Sequence, residues 1–355
     1  MTPKTKAWLL RLALLAIATV VSFALLEFAV RRLFPFFNPQ GPQQIVFHVN
    51  KDGVPLGPEN LTVRQRSPQG DYDVQVTFNR FGFRDSKDLS SATSTDWFAV
   101  GDSMGLGWGN PVTNRYSDVL ERLAKIKVYN ICVPTDIAGY NLLARYAEQQ
   151  SGIHISNLVV SITMENDLRD YYRSSPTAEP PSKRSVKESL RAFVKRHSAV
   201  YLLLATELQQ TEAMHRFFQA IGVARMEASD ELMYKNKFFV PAMQYSVKLL
   251  DQLTSGRQRA VVLIIPSRAL WIGENREVES KVHDYFVSEI RKNPHLEVID
   301  MRPVFEATGN PMQFYFKHDG HWNAKGHRWG GEYLASQILT GKLPPAPNAL
   351  SAPGK

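Results

Sequence analysis

The apolar and polar positions divide the chain into zones with different periods. The first runs from Leu12 to Val30 with Glu27 as its only charge. At 1.5 Å per residue such a helix is about 28 Å long, close to the thickness of a bilayer core. Residues 38–95 are rich in Pro, Gly and Asn, and their one clear period is the alternation of Tyr72, Val74, Val76 and Phe78 with polar partners, as in a half-buried strand. Five short apolar runs follow, at Trp97–Gly101, Lys127–Cys132, Asn157–Thr163, Ala260–Ser267 and Leu296–Met301. The segments between them carry helical spacing, as at Val119, Leu120 and Leu123 or Leu142, Leu143 and Tyr146. Continuous apolar strands separated by helices predict an α/β domain, a doubly wound parallel five-stranded sheet covered on both faces.

This pattern predicts an anchor at 1–37, a β-rich lead-in at 38–95, an α/β domain at 96–340 and a disordered Pro/Ala-rich tail at 341–355. The connection between the third and fourth strands is far longer than a normal crossover, so residues 168–255 are expected to form a helical insertion or cap. It holds a Pro/Ser-rich loop at Ser174–Lys183 and helix-like patterning at Leu202–Leu208 and Met214–Ile221.

Composition narrows the reading. The chain has 355 residues, 44% hydrophobic and 21% charged, which is ordinary globular usage and excludes collagen-like, coiled-coil and wholly disordered chains. Cys132 is the single cysteine, so there is no intrachain disulfide and no cysteine-rich metal site. The net charge of +8 is concentrated at Lys183, Arg184, Lys187, Arg191, Lys195 and Arg196, with Glu188 alone against them. A local run with little aromatic interleaving argues against nucleic acid as a partner. It fits a solvated or membrane-facing helix surface, or one drawn to anionic lipid or an acidic polymer.

Three segments offer chemistry. The first strand ends in Gly101-Asp102-Ser103, which sets Ser103 beyond a strand's carboxyl end, where a nucleophile would be exposed; Gly-Asp-Ser is also a common turn. Near the far end stands His318-Asp319-Gly320-His321-Trp322. An Asp two residues before a His can accept from one imidazole nitrogen and leave the other free as a base for a serine hydroxyl. Alternatively Asp319 caps the final helix and His321 packs on Trp322. After the third strand comes Glu165-Asn166-Asp167, where the Asn166 amide could donate to an oxyanion and Asp167 brace the loop, unless the pair is an ordinary turn.

In this order, each at a strand end, the three segments resemble the SGNH hydrolase superfamily, also called GDSL-type esterases, over roughly residues 96–340. The resemblance implies a three-layer, flavodoxin-like sheet and a serine hydrolase that needs neither cofactor nor metal. It implies Ser103 as nucleophile, Asp319 and His321 as acid and base, and Ser103 and Asn166 as oxyanion donors. Thr77-Phe78-Asn79-Arg80-Phe81-Gly82-Phe83-Arg84-Asp85 looks like the segment before the catalytic domain in membrane-anchored bacterial members. The family's second block usually supplies a glycine N–H to the oxyanion hole. Here Thr135 occupies the likeliest equivalent place, with Gly139 as the other candidate, and Cys132 reads as a small buried hydrophobe.

The resulting expectation is a serine esterase acting on an acyl ester, such as an O-acetyl group, of an extracytoplasmic glycan or lipid. The alternatives are an O-acyltransferase of extracellular polysaccharide, fed by a membrane acyl-donor protein, and a catalytically weak glycan-binding module. The expected location is the bacterial inner membrane, single-pass, with the catalytic domain in the periplasm or outside the cell. Ala16-Ile17-Ala18 and Ser22-Phe23-Ala24 leave a cleaved signal peptide as the competing reading of the first segment.

Overall fold

The computed structural model describes residues 3–41, 45–67, 70–168, 186–208, 240–272 and 276–344, with four isolated positions between 213 and 220. The chain forms two compact units, one of residues 1–44 with 181–224 and one of residues 45–180 with 225–355. The first unit contains α1 (Pro3–Leu33), whose Thr5–Leu33 segment is long and apolar enough to cross a membrane.

The second unit opens with two antiparallel hairpins, β1 (His48–Val49) with β2 (Pro55–Leu56) and β3 (Thr62–Arg66) with β4 (Asp73–Thr77). Along β4 the alternation read in the sequence is realised: Val76 is buried and Val74 half-buried, while Asp73, Gln75 and Thr77 are exposed. The main sheet then alternates with helices: β5 (Trp97–Val100), α2 (Ser103–Leu106), α3 (Tyr116–Ala124), β6 (Val128–Asn130), α4 (Ile137–Ser151) and β7 (Asn157–Thr163). In the first unit α5 (Val186–His197) and α6 (Ala199–Leu208) intervene. The second unit resumes with α7 (Val240–Thr254), β8 (Arg259–Ile265), α8 (Ala269–Ile272), α9 (Arg276–Ile290), β9 (Leu296–Asp300), α10 (Met301–Glu306) and α11 (Ala324–Thr340).

The five strands pair in parallel in the order β6-β5-β7-β8-β9. All seven residues of β7 are buried, the polar Asn157, Ser161 and Thr163 included, as in a central strand covered on both faces. One face of the sheet packs on α4, α7 and α9 through residues such as Leu143, Leu250 and Phe286. The other packs on α3, α10 and α11 through Leu120, Phe305 and Leu334. The class is therefore the three-layer doubly wound fold expected. The winding reverses around β5, and the crevice beyond its carboxyl end is where such sheets hold ligands.

Two boundaries differ from those read in the sequence. Residues 45–95 belong to the same compact unit as the sheet. Helix α7, which the sequence placed within the insertion or cap of 168–255, is a layer helix, with Leu249, Leu250 and Leu253 in the core against the sheet. Its amphipathic period looks the same in either role. The Pro/Ser-rich loop, most of Met214–Ile221 and residues 345–355 of the tail lie outside the described residues.

Arg84 stitches the lead-in to the sheet. Fully buried, it donates to the carbonyls of Leu106 (3.2 Å), Gly107 (2.6 Å) and Asn110 (2.5 Å), while its own carbonyl accepts from buried Arg115 at 2.5 Å. Burial, and then the neighbouring Arg115 charge, lower its pKa to about 9, leaving it a cation at neutral pH. Because three carbonyls would lose their donor together, Arg84→Met should cost about 3 kcal/mol or more in chemical denaturation of the solubilised full chain. A loss below about 1 kcal/mol would show that water or a rearranged loop satisfies these carbonyls.

Candidate active site

β5 ends at Val100, and after Gly101 the chain turns into the short helix α2, which Ser103 begins. Asp102 caps that helix, its Oδ1 accepting from the Met104 N–H at 2.9 Å. The Ser103 N–H thus heads a first turn, where no intrahelical acceptor exists. The Asp102 carboxylate also accepts from Thr163 Oγ1 (3.0 Å) and Asn166 Nδ2 (3.1 Å), binding the end of β7 to the end of β5. Burial pushes its pKa up, and the field of His321 with these three donors opposes that rise.

From the loop before α11, His321 Nε2 lies 2.8 Å from Ser103 Oγ. Its Nδ1 contacts Asp319 Oδ1, which also accepts the His321 backbone N–H at 2.9 Å. Serine, histidine and aspartate thus form one hydrogen-bonded chain. Burial alone would raise the Asp319 pKa, but the hydrogen bonds and charge of His321, with a further bond from Tyr72, hold it at about 2. The Asp319 carboxylate is therefore ionised at neutral pH. Arg268 supports the loop from below, Nη1 donating to the Asp319 carbonyl at 3.1 Å.

Tyr72, just before β4, had no role in the sequence reading beyond its place in an alternating strand. Its hydroxyl donates to Asp319 Oδ2 at 3.2 Å and accepts from Trp108 Nε1 at 2.8 Å. Burial, with the Asp319 charge, raises its pKa, so the hydroxyl stays protonated and remains a donor. Trp108 also stacks on His321, with ring centroids 5.6 Å apart. Gly109 makes the approach possible: at φ +71° it has no Cβ, and one placed there would meet the Tyr72 ring at 2.5 Å.

The remaining candidates fall as follows. Asn166 is half-buried at the end of β7; with one amide hydrogen given to Asp102, it keeps the other. Asp167 accepts from the Thr163 N–H (2.8 Å) and the Tyr140 hydroxyl (2.9 Å), bracing the loop that carries Asn166. Val133 N–H donates to the Gly101 carbonyl at 3.0 Å, which carries the segment leading to Thr135 alongside Asp102 and Ser103. Thr135 keeps negative φ, and among the described residues its N–H donates to nothing. Gly139 is excluded as a donor because it lies inside α4 with its N–H on Asp136 Oδ1 at 2.9 Å. Cys132 is buried, and burial pushes its thiol pKa up to about 12. Two flanking histidines stand outside the chain of bonds: His318 is held by Asp71, and His327 is buried, with a pKa lowered to about 3 chiefly by burial.

No protein-family profile matches the sequence, and no curated protein does. Among solved structures, the chain is similar to a member of the lipolytic protein G-D-S-L family from Veillonella parvula, at 11% identity over 70% of this chain and 99% of that one, TM-score 0.36. It is similar to a carbohydrate esterase family 2 enzyme with a carbohydrate-binding domain from Corynascus thermopiles (Myceliophthora fergusii), at 11% identity over 70% of this chain and 66% of that one, TM-score 0.38. A salicylyl-acyltransferase from a tetracycline biosynthetic pathway matches at 12% identity over 70% of this chain and 55% of that one, TM-score 0.32. At this distance the chemistry has to be inferred from the side chains themselves.

Two expectations follow. Tyr72→Phe keeps the ring and removes the hydroxyl that donates to Asp319 and accepts from Trp108, so kcat on a small ester should fall about tenfold with KM unchanged. An unaltered kcat would mean that His321 alone orients Asp319. A Cβ on Gly139 would meet Thr135 Oγ1 at 2.1 Å, so Gly139→Ala should displace Thr135 and lower kcat severalfold. Adding Thr135→Gly should restore most of the loss; no recovery in the double variant would show that Gly139 matters only to α4.

Proposed function

We propose that the protein is a serine esterase that cleaves an acyl ester through an acyl-serine intermediate. The observation that carries this reading is the continuous chain from Ser103 Oγ through His321 to Asp319 at the carboxyl end of β5. His321 Nε2 takes the hydroxyl proton as Ser103 Oγ attacks the ester carbonyl carbon. The resulting oxyanion is met by the Ser103 N–H, the free amide hydrogen of Asn166 and the Thr135 N–H. Collapse breaks the bond to the alcohol, which leaves with the proton from His321. A water then gives its proton to His321, attacks the acyl carbon and releases the acid, returning the proton to Ser103. Asp319, ionised throughout, stabilises the imidazolium in both half-reactions.

The substrate class we assign is an acyl ester, such as an O-acetyl group, of a glycan or lipid outside the cytoplasm. Helix α1 supports it, because a segment of that length and apolarity would tether the enzyme to a membrane. Lys4, Lys6 and Arg11 precede the apolar run and Arg31 and Arg32 follow it, which slightly favours an N-terminus in the cytoplasm and a catalytic unit outside.

The test uses the detergent-solubilised full chain. A fluorophosphonate should label Ser103, and both Ser103→Ala and His321→Ala should abolish labelling and turnover of short aryl esters. Asn166→Ala should cost about 2–4 kcal/mol of transition-state stabilisation. Turnover that appears only with an added polysaccharide hydroxyl acceptor would make the protein an acyltransferase using the same residues. Absence of serine-dependent turnover with or without acceptor would reduce it to a binding module.

A further inference from the structure

Glu27 is the one charge inside the apolar run of α1, and an isolated carboxylate at that depth would be costly. It is fully engaged: it accepts from Ser198 Oγ (2.9 Å), Ala199 N–H (2.7 Å) and Val200 N–H (3.1 Å), so it caps α6 from another helix. One turn on, Arg31 donates to Glu27 (2.8 Å) and to the His197 carbonyl (2.5 Å). Val30 and Phe37 close over Ala199 and Val200 in a small buried cluster. The junction between α5 and α6 is therefore fastened to α1 where its apolar run ends and Arg31 and Arg32 begin. For a helix crossing a bilayer, that is the boundary between acyl chains and headgroups.

The two helices fastened there have the composition of that boundary. In α5, Leu190, Phe193, Val194 and His197 recur at three- and four-residue spacing, and Leu190 and Phe193 are 62% and 60% exposed. Lys187, Arg191 and Lys195 recur every four residues along a different line of the same helix, followed by Arg196. Helix α6 carries no charged residue before Glu207, and Leu204 is half exposed. Apolar side chains left uncovered beside a basic line, at the level of the headgroups, complement one kind of surface.

We propose that α5 and α6 form an interfacial foot, α5 lying in the membrane plane with its Leu190–Phe193 stripe in the acyl boundary and its basic line on anionic phospholipid headgroups. The proposal rests on the reading of α1 as a membrane anchor. Continuity with the end of α1 and charge complementarity together select a bilayer as the occupant. The foot would add a second attachment beside the spanning helix and fix the rotation of α1 about its own axis.

The test places a polarity-sensitive fluorophore on the full chain in nanodiscs, through Leu190→Cys, Phe193→Cys, Glu188→Cys on the opposite side of α5, and Leu15→Cys in the middle of α1. Cys132 is buried and does not compete for the label. Lipids carrying a spin-label quencher in the acyl chain should quench the fluorophore at positions 190 and 193 severalfold more than at 188. The effect should be larger in discs containing phosphatidylglycerol than in phosphatidylcholine alone, and should weaken with salt. Quenching at 15 but not at 190 and 193 overturns the foot and leaves the anchor standing. Absence of quenching at 15 overturns the anchor reading itself. A blue-shifted fluorophore at 190 that lipid does not quench means a protein surface covers α5. Equal quenching in the two lipids overturns the headgroup assignment.

Discussion

The buried carboxylate of Asp102 is the constraint on which the site depends. A carboxyl group buried this deeply is tolerated only when its oxygens are hydrogen-bonded, and here the donors are the turn that presents Ser103, the threonine closing β7 and the amide of Asn166. Satisfying one buried group therefore fixes Ser103 and the Asn166 amide relative to each other. The adjacent segment after β6 is held by a backbone bond to Gly101, so all three strand ends around the reversal of winding are tied to this short stretch. Rigidity comes from desolvation: any slackening would leave a carboxylate unpaired in the core.

A second set of bonds holds His321. Asp319 lies between His321 and Tyr72, and Tyr72 in turn takes a bond from Trp108, whose ring lies against the imidazole. This loop of contacts returns to the segment after α2, whose carbonyls are collected by Arg84. The lead-in before the sheet thus reaches the aspartate through Tyr72 in its second hairpin, and through Arg84, after that hairpin, it fixes the loop beside the serine.

How much of this could be read in the sequence depended on whether the signal was local. The five strands were legible to within one or two residues at each end because strands buried on both faces are continuous apolar runs. That Ser103 and the Asp319–His321 pair stand at strand or loop ends was legible because each sits in a short polar segment next to an apolar run, and the structure brings them within hydrogen-bond distance. The bonds from Tyr72 to Asp319 and from Arg84 to the loop after α2 join distant parts of the chain, and nothing near either residue announces them. Asp102 was read only as part of a turn, since its partners lie on another strand. Helix α7 was assigned to an insertion because its apolar stripe does not say what it faces. The sequence does not separate Gly139 from Thr135 as a donor, because the bond from the Gly139 N–H to Asp136 is a helix cap that spacing alone does not reveal.

The contacts that complete the site are also among the longest in sequence: Ser103 meets His321 218 positions later, and Tyr72 meets Asp319 247 positions later. Synthesis runs from the N-terminus, so the serine, its helix cap and the hairpins emerge from the ribosome long before the loop that activates them. Through that interval the Ser103 hydroxyl has no imidazole beside it and is an ordinary alcohol. In the proposed mechanism reactivity comes from the last quarter of the chain, so a nascent or C-terminally truncated polypeptide would be chemically silent toward esters, and the acquisition of an acylatable serine would mark the moment at which the chain has closed on itself.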